Sequence, residues 1–358
     1  MIIVAYFAVL ILNFIEVFRN KRNKYLLLLS VLILGLIFAG GTENTDMVYY
    51  KATYFDDARI KYKATEFGFY YFAQFCRQLN LGLFGMRGLV FLFATLLIGA
   101  TVKKYCVNTH LFIIIYTLFL FFIDAIQLRN LVAISLVIYS FPYLVENKKI
   151  KYFFGIISAS LFHTISLFYL PFLFLSSKNK KFFIQLMVGG AIFLELIYAI
   201  YSGTPPYLNY LIEEFSTNSG RIQQYTEKIT NGSIQVIFLF LLNVGLAYWA
   251  HLGFPKSTIS QKNKLFSQYV FYASVILLMF IPLLWYSVEF YRLARGILPL
   301  IYISVINASY KYKKVTYYQL VLWGMLVIHL LAWFYVSYFS ISIPERIFNP
   351  LFYQNEWL

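Results

Sequence analysis

Residues 152–177 read YFFGIISASLFHTISLFYLPFLFLSS, an uncharged run bounded by Lys151 on one side and by Lys178, Lys180 and Lys181 on the other. Whether this run crosses a membrane once or folds back decides the sidedness of everything that follows it. As one helix it would be about 39 Å long at the α-helical rise per residue. That exceeds the roughly 30 Å hydrocarbon core of a bilayer, and Pro171 would interrupt the helix. A re-entrant hairpin of two short helices over 152–177 is therefore expected, with the flanking lysines together at its base and His163 near its tip.

Working outward, runs close to the roughly 20 apolar residues that a spanning helix needs occur at 2–18, 25–40, 84–102, 110–126, 128–145, 182–201, 233–251, 267–286, 294–310 and 316–336. The chain thus reads as an all-α, polytopic integral membrane protein. It forms a single transmembrane domain over 1–358, with ten spanning helices plus the re-entrant hairpin. The run from Met1 has no basic leader and no small-residue cleavage site, so 2–18 reads as the first span rather than a signal peptide.

The charges sort by side. Segments 19–24, 103–104, 146–151, 178–181, 256–264 and 311–314 hold 18 Lys and Arg against one acid, Glu146. The opposite side holds 12 basic residues and 12 acids, and Glu16 and Glu195 fall inside spans. The positive-inside rule makes the first set cytoplasmic and puts both termini outside. The longer loops, 41–83 and 202–232, then also lie outside. If 152–177 crossed only once, every later loop would flip and the bias would collapse. Within the first outer loop, 66–80 is predicted to lie as an amphipathic helix in the membrane interface.

Composition agrees. The chain is 61% hydrophobic, 21% aromatic and 13% charged, against about 45–50% apolar and roughly 25% charged in a soluble domain. A soluble enzyme, a nucleic-acid-binding module and a disordered scaffold are excluded. The net charge of +15 reports membrane sidedness, not a nucleic-acid partner. Cys76 and Cys106, the only two cysteines, have no paired spacing and suggest neither a disulfide framework nor a zinc site. No Gly-x-x-x-x-Gly-Lys phosphate cradle is present, so ATP is not the expected energy source.

Ionisable groups at membrane depth are expensive and mark function by default. Arg129 opens the span 128–145 and has two readings. It is an interfacial anchor that snorkels or pairs with Asp124, or it is an anion clamp whose planar fork matches phosphate oxygens. Glu289, Arg292 and Arg295 sit at i, i+3 and i+6, which places them on one helical face. An intrahelical Glu289–Arg292 pair would leave Arg295 without a partner, and two arginines aimed at one place suit a diphosphate. His163 is either hydrogen-bonded packing or a functional imidazole, as general base or as partner to a sugar or phosphate. Glu195 faces a cavity or a cationic partner. Asp46, Asp56, Asp57 and Glu66 are outer-loop acids, and a solvated loop is the ordinary reading for most of them.

Short elements add to this pattern: Asp46-Met47-Val48-Tyr49-Tyr50, Glu66-Phe67-Gly68-Phe69, Arg129-Asn130-Leu131-Val132-Ala133, Phe162-His163-Thr164-Ile165-Ser166-Leu167 with Leu170-Pro171, Tyr291-Arg292-Leu293, and Ile347-Phe348-Asn349-Pro350. In order and spacing the sequence resembles the EpsG family of bacterial polysaccharide polymerases, relatives of the Wzy-type O-antigen and capsule polymerases. Asn130 stands where the family pattern has Gln, and Thr164-Ile165-Ser166 departs from the usual residues after the histidine.

The resemblance implies polymerisation of undecaprenyl-diphosphate-linked oligosaccharide repeats on the outer face of the bacterial cytoplasmic membrane, for O-antigen, capsule or exopolysaccharide. Such glycosyl transfer needs cations on the leaving diphosphate and a base for the attacking hydroxyl. Arg129, Arg292 and Arg295, with Glu289 and Tyr50, become the diphosphate and glycan contacts. His163, Asp46 or Glu66 becomes the base. Diphosphate is already a good leaving group, so neither a metal nor another cofactor is expected. The partners implied are the lipid-linked oligosaccharides, membrane lipid and a chain-length regulator. A flippase for the same lipid-linked unit and a membrane acyltransferase using His163 are the rival readings. The first lacks its expected internal repeat and mid-span lysines, and the second usually draws its donor from the cytoplasm.

Overall fold

The computed structural model describes residues 1–19, 23–41, 44, 46–56, 66–201, 233–253, 261–285, 287–309, 316–340 and 344–356. No strand occurs among them. In chain order the helices are α1 (Ile2–Arg19), α2 (Lys24–Gly40), α3 (Met47–Tyr54), α4 (Phe67–Gln78) and α5 (Gly82–Tyr105). Then come α6 (Thr109–Asp124), α7 (Leu128–Val145), α8 (Lys149–Ser160), a 3-10 helix (Thr164–Ser176) and α9 (Lys180–Tyr201). The last are α10 (Ser233–Gly253), α11 (Gln261–Leu284), α12 (Tyr291–Gly296), α13 (Leu298–Ser309), α14 (Tyr317–Ser340) and α15 (Glu345–Phe352).

Against the ten predicted spans, six described helices are long and apolar enough to cross a membrane: α1, α5, α7, α10, α11 and α14. The shorter apolar helices have local causes. Asn23 fixes the start of α2 by accepting a hydrogen bond from the Leu26 N–H at 3.1 Å, a side-chain N-cap. A π-turn over Tyr116–Leu120 interrupts α6. The predicted span 294–310 is divided at Ile297, where α12 ends before α13 begins. Every residue of α13 from Leu298 to Ala308 is buried, so this helix is apolar on all sides because other helices surround it.

The stretch 152–177 folds back on itself. Its two arms, α8 and the 3-10 helix, turn at 161–163, and the Tyr152 hydroxyl donates to the Tyr169 carbonyl at 2.7 Å across them. Lys149, Lys151 and Lys178 line one cavity at the base. The second arm holds 3-10 geometry over 13 residues with Pro171 inside, where 3-10 runs rarely exceed about 3–4 residues.

The predicted outer loop 41–83 carries α3 and α4. Helix α4 buries Phe69, Ala73 and Cys76 and leaves Phe67, Tyr71 and Phe75 exposed, each set at helical spacing. The predicted outer loop 202–232 lies outside the described residues. The C-terminal segment is docked: Asn355 Nδ2 donates to the Ile37 carbonyl at 2.9 Å and the Glu356 N–H to the Gly40 carbonyl at 3.0 Å. Arg87 ties the same end together. Its guanidinium donates to the carbonyls of Phe38 (2.6 Å), Ala39 (3.2 Å) and Ala125 (3.0 Å) and stacks on the Phe38 ring.

Candidate functional site

The site begins with a backbone contact. The Gly68 N–H donates to the Leu161 carbonyl at 2.9 Å, docking the start of α4 on the hairpin tip. A Cβ at position 68 would stand 2.8 Å from that carbonyl oxygen, so only glycine allows the approach without a shift. Docking delivers Glu66, two residues earlier and buried, to a guanidinium and an imidazole. Its Oε2 pairs with Arg129 Nη1 at the start of α7. Its Oε1 lies 2.5 Å from His163 Nδ1.

Burial alone would raise the Glu66 carboxyl, but the His163 hydrogen bond and the Arg129 charge outweigh it and hold the group below its ordinary value. A carboxylate only accepts hydrogen bonds, so the His163 proton sits on Nδ1 and Nε2 carries the lone pair. Burial pushes His163 below the ordinary imidazole value; Glu66 opposes this, while the charges of Arg129 and Arg292 reinforce it. The imidazole is therefore neutral near pH 7.

Asp46 and Tyr50 lie beside this group on α3. Burial, with help from the Asp46 charge and against that of Arg129, pushes the Tyr50 hydroxyl up to about 12. Asp46 also acts on Arg129 through its charge, as does Arg292 with the opposite sign. Tyr49, Tyr50, Thr53, Glu66, Phe69 and Arg129 line a small cavity.

The predicted trio 289, 292 and 295 is split. Glu289, on a 3-10 turn (Val288–Phe290), forms an ion pair with Arg292, and both are partly exposed. Arg295 is 1% exposed and has partners of its own. Its Nη2 donates to Gln127 Oε1 at 2.8 Å and lies 3.8 Å from Asp124 Oδ1. Asp124, which also accepts from the Tyr116 hydroxyl at 3.0 Å, thus faces Arg295 rather than Arg129. The physical reason is depth: Arg295 is enclosed by the bundle and needs buried acceptors, whereas Arg129 reaches the loop that brings Glu66. Glu195 is half-buried on α9.

Sequence reasoning passed over Arg87 and Gln127. Arg87 was detectable as an arginine inside the predicted span 84–102. Gln127 carries no such signal. It bridges Arg295, Asn130 and the Tyr291 hydroxyl through bonds of 2.8, 3.2 and 3.2 Å.

Three of the short elements seen in sequence thus converge in space, and the family comparison spans all six. The EpsG family model matches residues 24–354, nearly the whole chain. The chain belongs to the EpsG family. EpsG is a Wzy-type polymerase-like family. No curated protein and no solved structure matches the chain. In EpsG-family terms, the Glu66-x-Gly68, Arg129 and Phe162-His163 elements meet at one point: the glycine docks, the glutamate bridges, and the arginine and histidine receive it.

Proposed function

We propose that this chain is a polysaccharide polymerase. It joins undecaprenyl-diphosphate-linked oligosaccharide repeats by glycosyl transfer on the outer face of a bacterial cytoplasmic membrane, with both termini and the Glu66 end of the bundle outside. The observation that carries the reading is the Glu66 carboxylate held between Arg129 and His163 in a chain of this family.

In the proposed step, His163 Nε2 takes the proton of an acceptor-sugar hydroxyl. That oxygen attacks the anomeric carbon of the donor chain, and the bond from this carbon to the diphosphate oxygen breaks. The lipid diphosphate leaves with the electron pair. Glu66 orients the imidazole and stabilises the imidazolium as it forms, the part a carboxylate plays behind a histidine base. Arg129 and Arg292 take up the charge developing on the diphosphate. Asp46 and Tyr50 bound the sugar side, and Glu289 sets the direction of Arg292. Arg295 shapes the site from beneath through Gln127, a supporting part in place of direct diphosphate contact. A chain-length regulator is the expected protein partner.

The test is the size distribution of surface polysaccharide in a deletion strain. Wild type restores a ladder of chain lengths. His163→Gln and Arg292→Ala, present in the membrane at normal abundance, leave single repeats, with His163→Gln slower by about 10²–10⁴-fold as expected for loss of a general base. An unchanged ladder in the deletion strain overturns the polymerase reading. Lipid-linked units trapped on the cytoplasmic side would instead fit a flippase.

A further inference from the structure

The base of the hairpin, at the far end of both arms from His163, holds a feature that glycosyl transfer does not use. A cavity of about 870 Å³ there is lined by Lys148, Lys149, Lys151, Ser177, Lys178 and Asn179, among others. An apolar groove of about 440 Å³ continues from it, walled by Phe153, Leu173, Phe174 and Phe183. The two share Lys149, Ile150 and Ser177, so a polar chamber opens directly into an apolar one.

Lys149, Lys151 and Lys178 stand apart from the fourth lysine of the lining, Lys148, and from nearby Lys180. Lys148 is neutralised by Glu146 at 2.7 Å, and Glu146 also pairs with Lys104. Lys180 lies over the rings of Tyr269 and Tyr272, at 5.4 and 5.6 Å. Among the described residues no carboxylate pairs with Lys149, Lys151 or Lys178; Lys151 has only the Tyr143 ring, at 5.9 Å. Three ammonium groups around one chamber repel one another, and an anion relieves that repulsion. The adjoining groove is the wrong lining for a small soluble anion and the right one for an acyl chain. Ile150, 74% exposed, sits at the junction.

We infer that this pair of cavities binds one acidic phospholipid, with its headgroup phosphate among Lys149, Lys151 and Lys178 and an acyl chain along Phe153 and Phe174. Basic pockets at the ends of membrane helices select anionic headgroups in this way. A zwitterionic lipid would bring its own cation toward the lysines. Because the chamber is built from both arms of the hairpin, the bound lipid bridges them and fixes their base. The site is independent of the reaction proposed above.

The test uses the full chain purified in a neutral detergent, with thermal unfolding followed as short-chain lipid is added. Dioctanoyl-phosphatidylglycerol raises the unfolding midpoint, and dioctanoyl-phosphatidylcholine, with the same tails, does so much less. The triple variant Lys149→Gln/Lys151→Gln/Lys178→Gln unfolds as wild type without lipid but binds phosphatidylglycerol about a hundredfold more weakly, at about fivefold per lysine. Ile150→Asn, with all three charges intact, also weakens binding. Equal stabilisation by the two lipids, or full discrimination retained by the triple variant, overturns the proposal. So does an equal effect of glycerol phosphate alone, which would identify a soluble-anion site instead.

Discussion

Glu66 has two carboxylate oxygens and gives one to the Arg129 guanidinium and the other to the His163 imidazole, and that division bears on the charge state of the site. Burial is the largest influence against an imidazolium at His163; Glu66 opposes it, and the charges of Arg129 and Arg292 add to it. The resting imidazole is neutral, as the proposed base role requires. As the pH falls through its pKa, protonation removes the base, and that pKa lies below the ordinary 6.5. Polymer formation in proteoliposomes should therefore retain more than half its plateau rate at pH 6.5. Arg292→Gln removes a cation that disfavours the protonated ring, so the pKa rises and the acid limb moves to higher pH, on top of any loss in rate. A wild-type limb centred above 6.5, or a shift in the opposite direction, would count against His163 as the base.

Between residue and bundle stands the hairpin tip, whose position depends on α4. In Gly68→Ala the added methyl would sit 2.8 Å from the Leu161 carbonyl, and relieving that clash must move either α4 or the tip. Overpacking of this kind costs about 1–3 kcal/mol. A lowered unfolding midpoint together with loss of polymer at normal abundance is expected, while a wild-type ladder from this variant would show that the docking is dispensable. The helix itself was legible in sequence, since 66–80 reads as amphipathic, but its docking was not: Gly68 meets Leu161, which lies far along the chain, and Glu66 alone reads as a loop acid. The hairpin was legible from Pro171 and the lysines at its two ends. Its 3-10 second arm was not, since a run apolar at almost every position carries no periodicity to separate 3.0 from 3.6 residues per turn. Nor were the partners of Arg295 legible: Gln127 is 168 positions away, and only the packed bundle brings the two together.

At the scale of the whole molecule, two arginines near the same end do opposite work. Arg87 is fully buried, forms no ion pair among the described residues, feels the charge of Glu356, and spends its donors on carbonyls at the end of α2 and in the turn before α7. It joins segments that the C-terminal Asn355 and Glu356 also hold, so it organises the platform on which α3, α4 and the tip assemble. Arg129 faces the loop acid Glu66 instead. Replacing Arg87 with Met leaves three carbonyls short of a donor, at about 1–3 kcal/mol for each one left buried and unpaired. Lys in its place has no planar fork to reach both segments at once. Arg87→Met and Arg87→Lys should thus lower the amount of folded protein in the membrane, with polymer falling in proportion. Arg129→Gln should leave abundance unchanged while chain growth stops. Measuring membrane abundance and ladder length in the same strains separates the two. If Arg87 variants accumulate normally yet make no polymer, the platform itself takes part in the reaction, and the boundary between scaffold and site must be redrawn to include it.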